Sequence, residues 1–327
     1  MIQFEQVTKE YTPGKPVVSD VTMEIQDGEF FVLIGPSGSG KTTTLKMINR
    51  LIPLTKGWIK IDGTPISEFH LQELRWNIGY VLQQIALFPN MTVEENILVV
   101  PEMKKWPQDQ MKKRVTQLLD RIGLDPHTYR NRNISSLSGG EQQRVGVARA
   151  LAADPDIILM DEPFSALDPV SRNQLRQDVS RLQKELKKTI VFVTHDMQEA
   201  IQLGDRIGLM NNGKIEQIGT PKAILEKPKN EFVRNFLQTG LPNYKEQTRI
   251  HELAAQGYIQ EETFHSDSVS PVLSSEDPLD ALIVALAAHP LAYVTHPDNR
   301  PAGVVTQESL LAFLAANLDA DEAVTTE

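Results

Sequence analysis

The sequence contains no cysteine and no long apolar run. Without cysteine, the chain forms neither disulfide bonds nor a thiol-based catalytic site. The longest apolar segment, residues 281–288, is stopped by His289 and Pro290 and falls well short of the roughly 20 residues that span a bilayer. The N-terminal residues also lack the basic start and the apolar stretch of a signal peptide. We therefore expect a cytoplasmic protein, which partners could hold at a membrane.

Basic residues are scarce in the last part of the chain. From Leu241 onward there are 3 Lys+Arg and 14 Asp+Glu, whereas residues 1–240 contain 30 basic and 29 acidic residues. Nucleic acids are bound by basic faces, so this acidic balance argues against nucleic acid as the main partner. The shift in composition predicts two domains, residues 1–240 and residues 241–327.

Continuous apolar runs alternate with helical patterns in the first domain. The runs, which are typical of buried parallel strands, are residues 30–34, 78–82, 157–160 and 190–194. The helical patterns are residues 42–50, 93–125, 138–153 and 169–186. This alternation predicts an α/β fold with a mostly parallel sheet that helices cover on both faces.

The strongest motif follows the first of these strands and opens a helix. Gly35, Gly40, Lys41 and Thr42 match the complete pattern of a phosphate-binding loop. We expect Lys41 to bridge the β- and γ-phosphates of a nucleotide and the Thr42 hydroxyl to bind Mg²⁺. The alternative is a Gly/Ser-rich turn, which the complete motif and its context disfavour. The predicted nucleotide-binding residues are Gly35, Pro36, Ser37, Gly38, Ser39, Gly40, Lys41, Thr42 and Thr43.

Two carboxylates follow the apolar run at residues 157–160. Asp161 ends the strand at the edge where parallel sheets bind ligands, so we expect it to hold Mg²⁺. Glu162 comes one residue later, where it could polarise a water for in-line attack on the γ-phosphate. The alternative is a solvated strand end, since Asp and Pro are common in turns.

Residues 137–144, Leu-Ser-Gly-Gly-Glu-Gln-Gln-Arg, resemble the signature motif of ATP-binding-cassette (ABC) ATPases. A plain helix start explains part of the same segment, because Ser138 and Glu141 fit a capping box. Both interpretations hold together, since a capped helix N-terminus is itself an anion site. The resemblance implies that Ser138, Gly139, Gly140 and Glu141 face the γ-phosphate held by a second subunit. Glu141 replaces the glutamine of the commonest form of the motif.

The resemblance extends to four further residues. It implies that Tyr11 stacks on adenine, although an ordinary strand tyrosine is the alternative. It implies that Gln83 touches Mg²⁺ and the attacking water, with Gln84 leaving the register open. Asp168 resembles the residue of the loop that couples two active sites, and His195 resembles a histidine that contacts the γ-phosphate. The implied catalytic residues are then Glu162, Gln83 and His195, and the implied metal ligands are Thr42, Gln83 and Asp161.

The resemblance covers residues 1–240. It implies a P-loop NTPase core of α/β class, a helical subdomain at about residues 84–136, and a homodimer that closes around two Mg-ATP molecules. Residues 86–95 resemble the segment that borders the permease, with Phe88 and Met91 as candidate contacts, although the core of the subdomain is the alternative.

Residues 43–51 and 146–155 resemble the ATPase subunits of osmoprotectant importers, whose solutes are glycine betaine, carnitine, choline or related quaternary amines. The resemblance implies a separate permease, an extracytoplasmic binding protein and a position on the cytoplasmic face of the membrane. One alternative is an ATPase for another small solute such as an amino acid. A soluble ABC protein of ribosomes or DNA is disfavoured by the charge balance.

The sequence of the second domain predicts a β-α-β-β-α unit. Its strands are predicted at residues 271–273, 291–294 and 302–306, and its helices at residues 278–288 and 308–318. This order resembles a single cystathionine-β-synthase-type (CBS) module of α+β class, which implies a regulatory role. Ser309 stands where nucleotide-binding modules often carry an aspartate, which argues against sensing of adenine nucleotides. We expect the domain to stabilise the dimer by pairing with its copy.

Overall fold

The computed structural model describes residues 1–165, 167–240, 249–260, 270–298 and 300–317. The chain divides into two compact units, Met1–Pro221 and Lys222–Glu327. The boundary predicted from composition, between residues 240 and 241, lies further along the chain and stays a prediction. None of the described helices combines the length and the apolar character that a membrane-spanning helix needs.

The first unit contains two β-sheets. Their strands are β1 (Ile2–Thr12), β2 (Lys15–Ile25), β3 (Phe30–Ile34), β4 (Lys56–Ile61), β5 (Thr64–Pro65), β6 (Ile78–Val81), β7 (Ile157–Asp161), β8 (Thr189–Thr194), β9 (Arg206–Asn211) and β10 (Lys214–Gly219). The smaller sheet has the order β2-β1-β4-β5 and is antiparallel. The larger sheet has the order β10-β9-β3-β8-β7-β6.

The larger sheet is parallel except for its edge strand β10, which runs antiparallel to β9. Every residue of β3, β7 and β8 is buried. Strands that are covered on both faces favour apolar side chains on both faces, which explains the continuous apolar runs at the centres of these strands. The predicted parallel core is therefore confirmed.

Eight α-helices of the described residues connect these strands, together with 3₁₀ turns at Ile66–Glu68 and Ile134–Ser136. The helices are α1 (Lys41–Ile48), α2 (Leu71–Trp76), α3 (Val93–Met103), α4 (Gln108–Arg121), α5 (Pro126–Tyr129), α6 (Gly139–Leu151), α7 (Pro169–Leu186) and α8 (Met197–Leu203). The helical pattern of residues 93–125 is thus not one helix. Pro107 precedes α4, and its ring disfavours a helical conformation at Trp106.

The second unit has its own apolar core and a three-stranded sheet. Its elements are α9 (Pro221–Glu226), α10 (Glu231–Gly240), α11 (His251–Ala255), β11 (Val272–Ser274), α12 (Leu279–Ala288), β12 (Leu291–Thr295), β13 (Pro301–Thr306) and α13 (Gln307–Asn317). Strand β12 pairs in parallel with β11 and antiparallel with β13. The order from β11 to α13 is the predicted β-α-β-β-α; residue 318, the predicted end of the last helix, lies outside the described residues.

Candidate nucleotide-binding and hydrolysis site

Four loops meet at the carboxyl edge of the larger sheet. In the register of the strands, Ile34 pairs with Thr194 and Asp161 pairs with Val193. Strand β6 lies beside β7 and ends two residues before Gln83. The residues that follow these strand ends therefore converge at the edge where parallel sheets bind ligands.

The phosphate-binding loop requires glycine at two positions. Gly35 and Gly40 have positive φ angles of 155° and 102°. A Cβ atom at Gly35 would lie 2.1 Å from the Met210 carbonyl oxygen, and one at Gly40 would lie 2.8 Å from the Val17 carbonyl oxygen. Both side-chain positions are thus blocked by backbone, so these glycines allow the loop to fold against β2 and β9.

Lys41 is buried at the start of α1. Its Nζ donates hydrogen bonds to the carbonyl oxygens of Gly35, at 2.8 Å, and Pro36, at 3.0 Å. Burial lowers the pKa of the Lys41 ammonium, and the carboxylates of Glu162 and Asp161 oppose that shift. The ammonium therefore stands inside the loop, beside both carboxylates, where it can bind a phosphate.

The Ser39 hydroxyl oxygen is buried and has no hydrogen-bond partner among the described residues. An unsatisfied buried hydroxyl destabilises the fold by about 1–3 kcal/mol. A phosphate oxygen that accepted its hydrogen would remove this cost, so the loop fits an anionic ligand.

Asp161 is held at both of its carboxylate oxygens. Its Oδ1 accepts a hydrogen bond of 2.7 Å from Thr42 Oγ1, and its Oδ2 accepts one of 3.3 Å from the Tyr80 hydroxyl. Lys46 Nζ lies 3.6 Å from the same Oδ2. Burial, and then the negative charge of Asp161, raise the pKa of Tyr80, which keeps its donating proton. The paired oxygens of Thr42 and Asp161 are the hard ligands that Mg²⁺ prefers, so the donor set fits this metal.

Glu162 lies between the other two predicted catalytic side chains. Its Oε2 accepts a hydrogen bond of 3.3 Å from Gln83 Nε2 and lies 3.1 Å from His195 Nδ1. The Glu162 backbone has a φ of 46°, a left-handed conformation that is costly for a side-chain-bearing residue, and its N–H donates to the Val193 carbonyl oxygen. The structure thus brings the side chains of Gln83, Glu162 and His195 together, and their catalytic roles stay a prediction.

The signature segment forms the capped start of α6. Ser138 Oγ accepts from the Glu141 N–H at 3.3 Å, and the Ser138 N–H donates to Glu141 Oε2 at 2.7 Å. The Tyr129 hydroxyl donates to Glu141 Oε1 at 2.6 Å and thereby lowers the pKa of Glu141. Within the part of the chain that the structure describes, no hydrogen bond or ion pair joins this segment to residues 35–43.

The predicted coupling residue caps the helix that packs beside the start of α6. Asp168 caps α7 by accepting a hydrogen bond of 3.0 Å from the Ser171 N–H. A Cβ atom at Gly140 would lie 2.7 Å from Ser171 Oγ, so a larger residue there would force the Ser171 side chain to move. Ala166, in the same loop as Asp168, lies outside the described residues.

Three predicted contact residues are exposed. Tyr11 is 60% exposed, and the ammonium of Lys9 lies 4.9 Å from the centroid of its ring. Phe88 and Met91 are 46% and 36% exposed. Neither Phe88 nor Met91 is therefore buried in the core of the subdomain, which was the alternative.

Sequence reasoning missed three residues of this region: Lys46, Tyr80 and Tyr129. Lys46 lies one helical turn after Thr42, a spacing that puts both side chains on one face and could have pointed to it. Tyr80 carries the only hydroxyl of the apolar strand β6. No local signal identifies Tyr129, because its contact depends on how α5 packs near the start of α6.

Comparison with known proteins places these features in one family. The sequence model described as ABC transporter matches residues 18–165. The chain is 54% identical over 237 residues to the glycine betaine/carnitine/choline transport ATP-binding protein OpuCA of Bacillus subtilis (strain 168), covering 72% of this chain and 62% of that protein. It is 48% identical over 236 residues to the glycine betaine uptake system ATP-binding protein YehX of Escherichia coli (strain K12), covering 72% of this chain and 76% of that protein.

A solved structure of an ATP-binding cassette has the same fold as part of this chain. The dimeric structure of a post-hydrolysis state of the ATP-binding cassette MJ0796, bound to ADP and Pi, aligns with a TM-score of 0.61 at 35% identity, covering 68% of this chain and 99% of that one. The match to OpuCA spans less than two thirds of that protein's length. The predicted P-loop fold of the first unit is confirmed, and the chain belongs to the ATP-binding proteins of the ABC transporter family.

Proposed function

We propose that this chain binds Mg-ATP at the phosphate-binding loop and hydrolyses it. The observation that carries the proposal is the Glu162 carboxylate, which lies 3.1 Å from His195 Nδ1 and 3.3 Å from Gln83 Nε2, close enough to Lys41 to affect its pKa. In this role Glu162 accepts the proton of the attacking water, Gln83 orients that water, and His195 contacts the γ-phosphate.

Thr42 and Asp161 would hold Mg²⁺, with Gln83 as a further ligand. The bound ion would neutralise charge on the β- and γ-phosphates. Tyr80 and Lys46 fix Asp161 through its Oδ2, which leaves the side facing Thr42 for the metal. Lys41 would exchange its two carbonyl partners for phosphate oxygens, and the exposed ring of Tyr11 would stack on adenine.

We propose that the ATP is bound between two copies of the chain. Ser138, Gly139, Gly140 and Glu141 present a helix N-terminus, which attracts a phosphate, and no described contact links them to the phosphate-binding loop of their own chain. The packing of α6 on α7 would let Asp168 follow movements of the signature segment. A closed homodimer would therefore complete each site with the signature segment of its partner.

The chain is proposed to energise an importer of glycine betaine or a related quaternary amine. Support comes from the names of OpuCA and YehX, which are 54% identical to this chain over 237 residues and 48% identical over 236 residues. A separate permease, contacted by Phe88 and Met91, would hold the chain at the cytoplasmic face of the membrane, and an extracytoplasmic protein would deliver the solute. Uptake of labelled glycine betaine by vesicles that contain these components tests this assignment.

Residues 241–327 are proposed to form a regulatory domain that resembles one CBS module. Thr306 Oγ1 accepts from the Ser309 N–H at 3.2 Å, and the two hydroxyl oxygens lie 3.1 Å apart. Ser309 lies in the first turn of α13, and its N–H and hydroxyl are therefore engaged by Thr306, the residue that precedes the helix. A serine hydroxyl engaged in this way, in place of an aspartate, argues against nucleotide binding, and we propose pairing of subunits as the role of the domain.

Two substitutions separate ATP binding from hydrolysis. Lys41→Ala removes a charge-assisted phosphate contact and is expected to weaken ATP binding. Glu162→Gln is expected to bind ATP normally while hydrolysis falls by about 100-fold or more, because an amide accepts no proton from water. Nucleotide-binding titrations and steady-state phosphate release measure the two effects, with the exposed Glu185→Gln as the matched control. Normal turnover by Glu162→Gln would exclude Glu162 as the base.

A further inference from the structure

Glu199 is a buried carboxyl group that the proposed mechanism does not use. It lies in the first turn of α8 and is 5% exposed. Its Oε2 accepts a hydrogen bond of 2.5 Å from the hydroxyl of Thr194, the last residue of β8. Since His195 is the next residue along the chain, this bond restrains the backbone from which the His195 side chain projects.

The same hydroxyl also fixes the other side of His195. Thr194 Oγ1 accepts a hydrogen bond of 3.0 Å from the Asp196 N–H. Asp196 in turn caps α8, because its Oδ1 accepts from the Gln198 N–H at 2.7 Å and from the Glu199 N–H at 3.3 Å. The bonds close a ring around His195 that ties the end of β8 to the start of α8.

The charges around Glu199 come from two elements. Asp196 faces it from the start of α8, and Arg172 and Arg176 face it from α7. Strands β3 and β8, which also pack against α8, carry no titratable side chain. The ring is thus built at the edge of the sheet, where Thr194 pairs with Ile34, the residue before the phosphate-binding loop.

We propose that Glu199 is a positioning residue for His195. The proposal rests on the role given above to His195, whose side chain is 62% exposed and lies 3.1 Å from Glu162 Oε2. A carboxyl group that anchors Thr194 from the core restricts the backbone of His195, and this directs the imidazole toward Glu162. A displacement of about 1 Å in such a group can lower a rate by about 100-fold.

A double-mutant cycle tests the proposal. Glu199→Ala is expected to lower kcat by about 10- to 100-fold while the KM for ATP changes less than about twofold, because the ATP-binding residues are untouched. Glu199→Gln retains an oxygen that accepts from Thr194 and should restore most of kcat. In the His195→Ala background, Glu199→Ala should cause no further loss, because no imidazole remains to be positioned.

A second variant and a second readout keep the test decisive. Thr194→Val removes the hydroxyl without altering Glu199, and it should reproduce the effect of Glu199→Ala even if the latter folds poorly. The NMR resonances of the His195 ring should shift in Thr194→Val but not in the control Glu185→Gln. Equal losses with and without His195, or an unmoved His195 ring, would overturn the proposal. Wild-type protein that does not hydrolyse ATP would instead contradict the proposed function.

Discussion

Burial raises the pKa of Glu199 from 4.5 to about 7, against the opposing effects of its Thr194 hydrogen bond and of Arg176 and Arg172. Between these two values the folded state keeps a proton that the unfolded state releases. The resulting stabilisation is complete below pH 4.5 and is lost as the pH rises through about 7. It amounts to up to about 3 kcal/mol, since each tenfold change in proton affinity corresponds to about 1.4 kcal/mol.

Glu199→Gln should remove this pH dependence. We expect the unfolding free energy of the wild type to fall, relative to that of Glu199→Gln, as the pH rises from about 5 to about 8. Urea denaturation of both proteins at matched pH values measures the difference. Parallel pH profiles would show that the Glu199 carboxyl does not ionise differently in the folded and unfolded states.

At the scale of single elements, the start of α6 depends on one side chain with two tasks. Glu141 uses Oε2 for the Ser138 N–H and Oε1 for the Tyr129 hydroxyl. Glutamine has only one accepting oxygen in its side chain, so it can meet both partners only if its amide N–H donates to the Tyr129 hydroxyl oxygen, and the charge-assisted bond from Tyr129 is then replaced by a neutral one. Alanine loses both bonds.

Stability should therefore decrease from the wild type to Glu141→Gln and again to Glu141→Ala. Each step is expected to lower the unfolding free energy by up to about 1 kcal/mol, because a charge-assisted bond is weakened in the first step and the remaining bonds are lost in the second. Urea denaturation measures the series, and Tyr129→Phe serves as the matched partner variant. In the Tyr129→Phe background, Glu141→Gln should cost little; a full loss there would contradict the division of tasks between the two oxygens.

The sequence predicted the central strands well because burial on both faces leaves a strong signal. Phe30–Ile34 and Pro169–Leu186 were predicted with the observed bounds. The sequence signal is weaker where two successive helices have the same helical spacing of apolar residues, because the pattern does not show where one helix ends and the next begins. Helix α3 ends at Met103 and Lys105 has a left-handed φ of 55°, but the pattern of residues 93–125 shows no break there. A proline alone does not mark the division, because Pro101 lies inside α3 whereas Pro107 precedes α4.

The candidate site was predictable where a motif is contiguous in sequence. Lys41 and Thr42 belong to one loop, and Asp161 and Glu162 to one strand end, so local pattern was enough. The bonds from Tyr80 to Asp161 and from Thr194 to Glu199 were not predicted, since each joins side chains whose approach depends on how separate elements pack. Their roles therefore required the fold.

At the scale of the whole molecule, the negative charge is concentrated in the proposed regulatory domain, which carries 3 Lys+Arg against 14 Asp+Glu from Leu241 onward. Two such domains repel each other when they approach, and salt screens that repulsion within about 8 Å at physiological ionic strength. An apolar contact must therefore drive any pairing. Helix α12 offers one, because Val284 is 66% exposed on a helix whose other residues except Asp280 are apolar.

Removal of the residues after Leu241 should weaken ATP-dependent dimerisation, because the second contact between subunits is lost. Val284→Glu in the full chain should have a similar effect, since it adds a charge to the proposed apolar contact without touching the core. Analytical ultracentrifugation of Glu162→Gln protein with ATP measures dimerisation, and Glu185→Gln again provides the control. Raising the salt concentration should strengthen dimerisation of the full chain more than that of the shortened one. Equal dimerisation of both chains at every salt concentration would exclude pairing through the C-terminal domain.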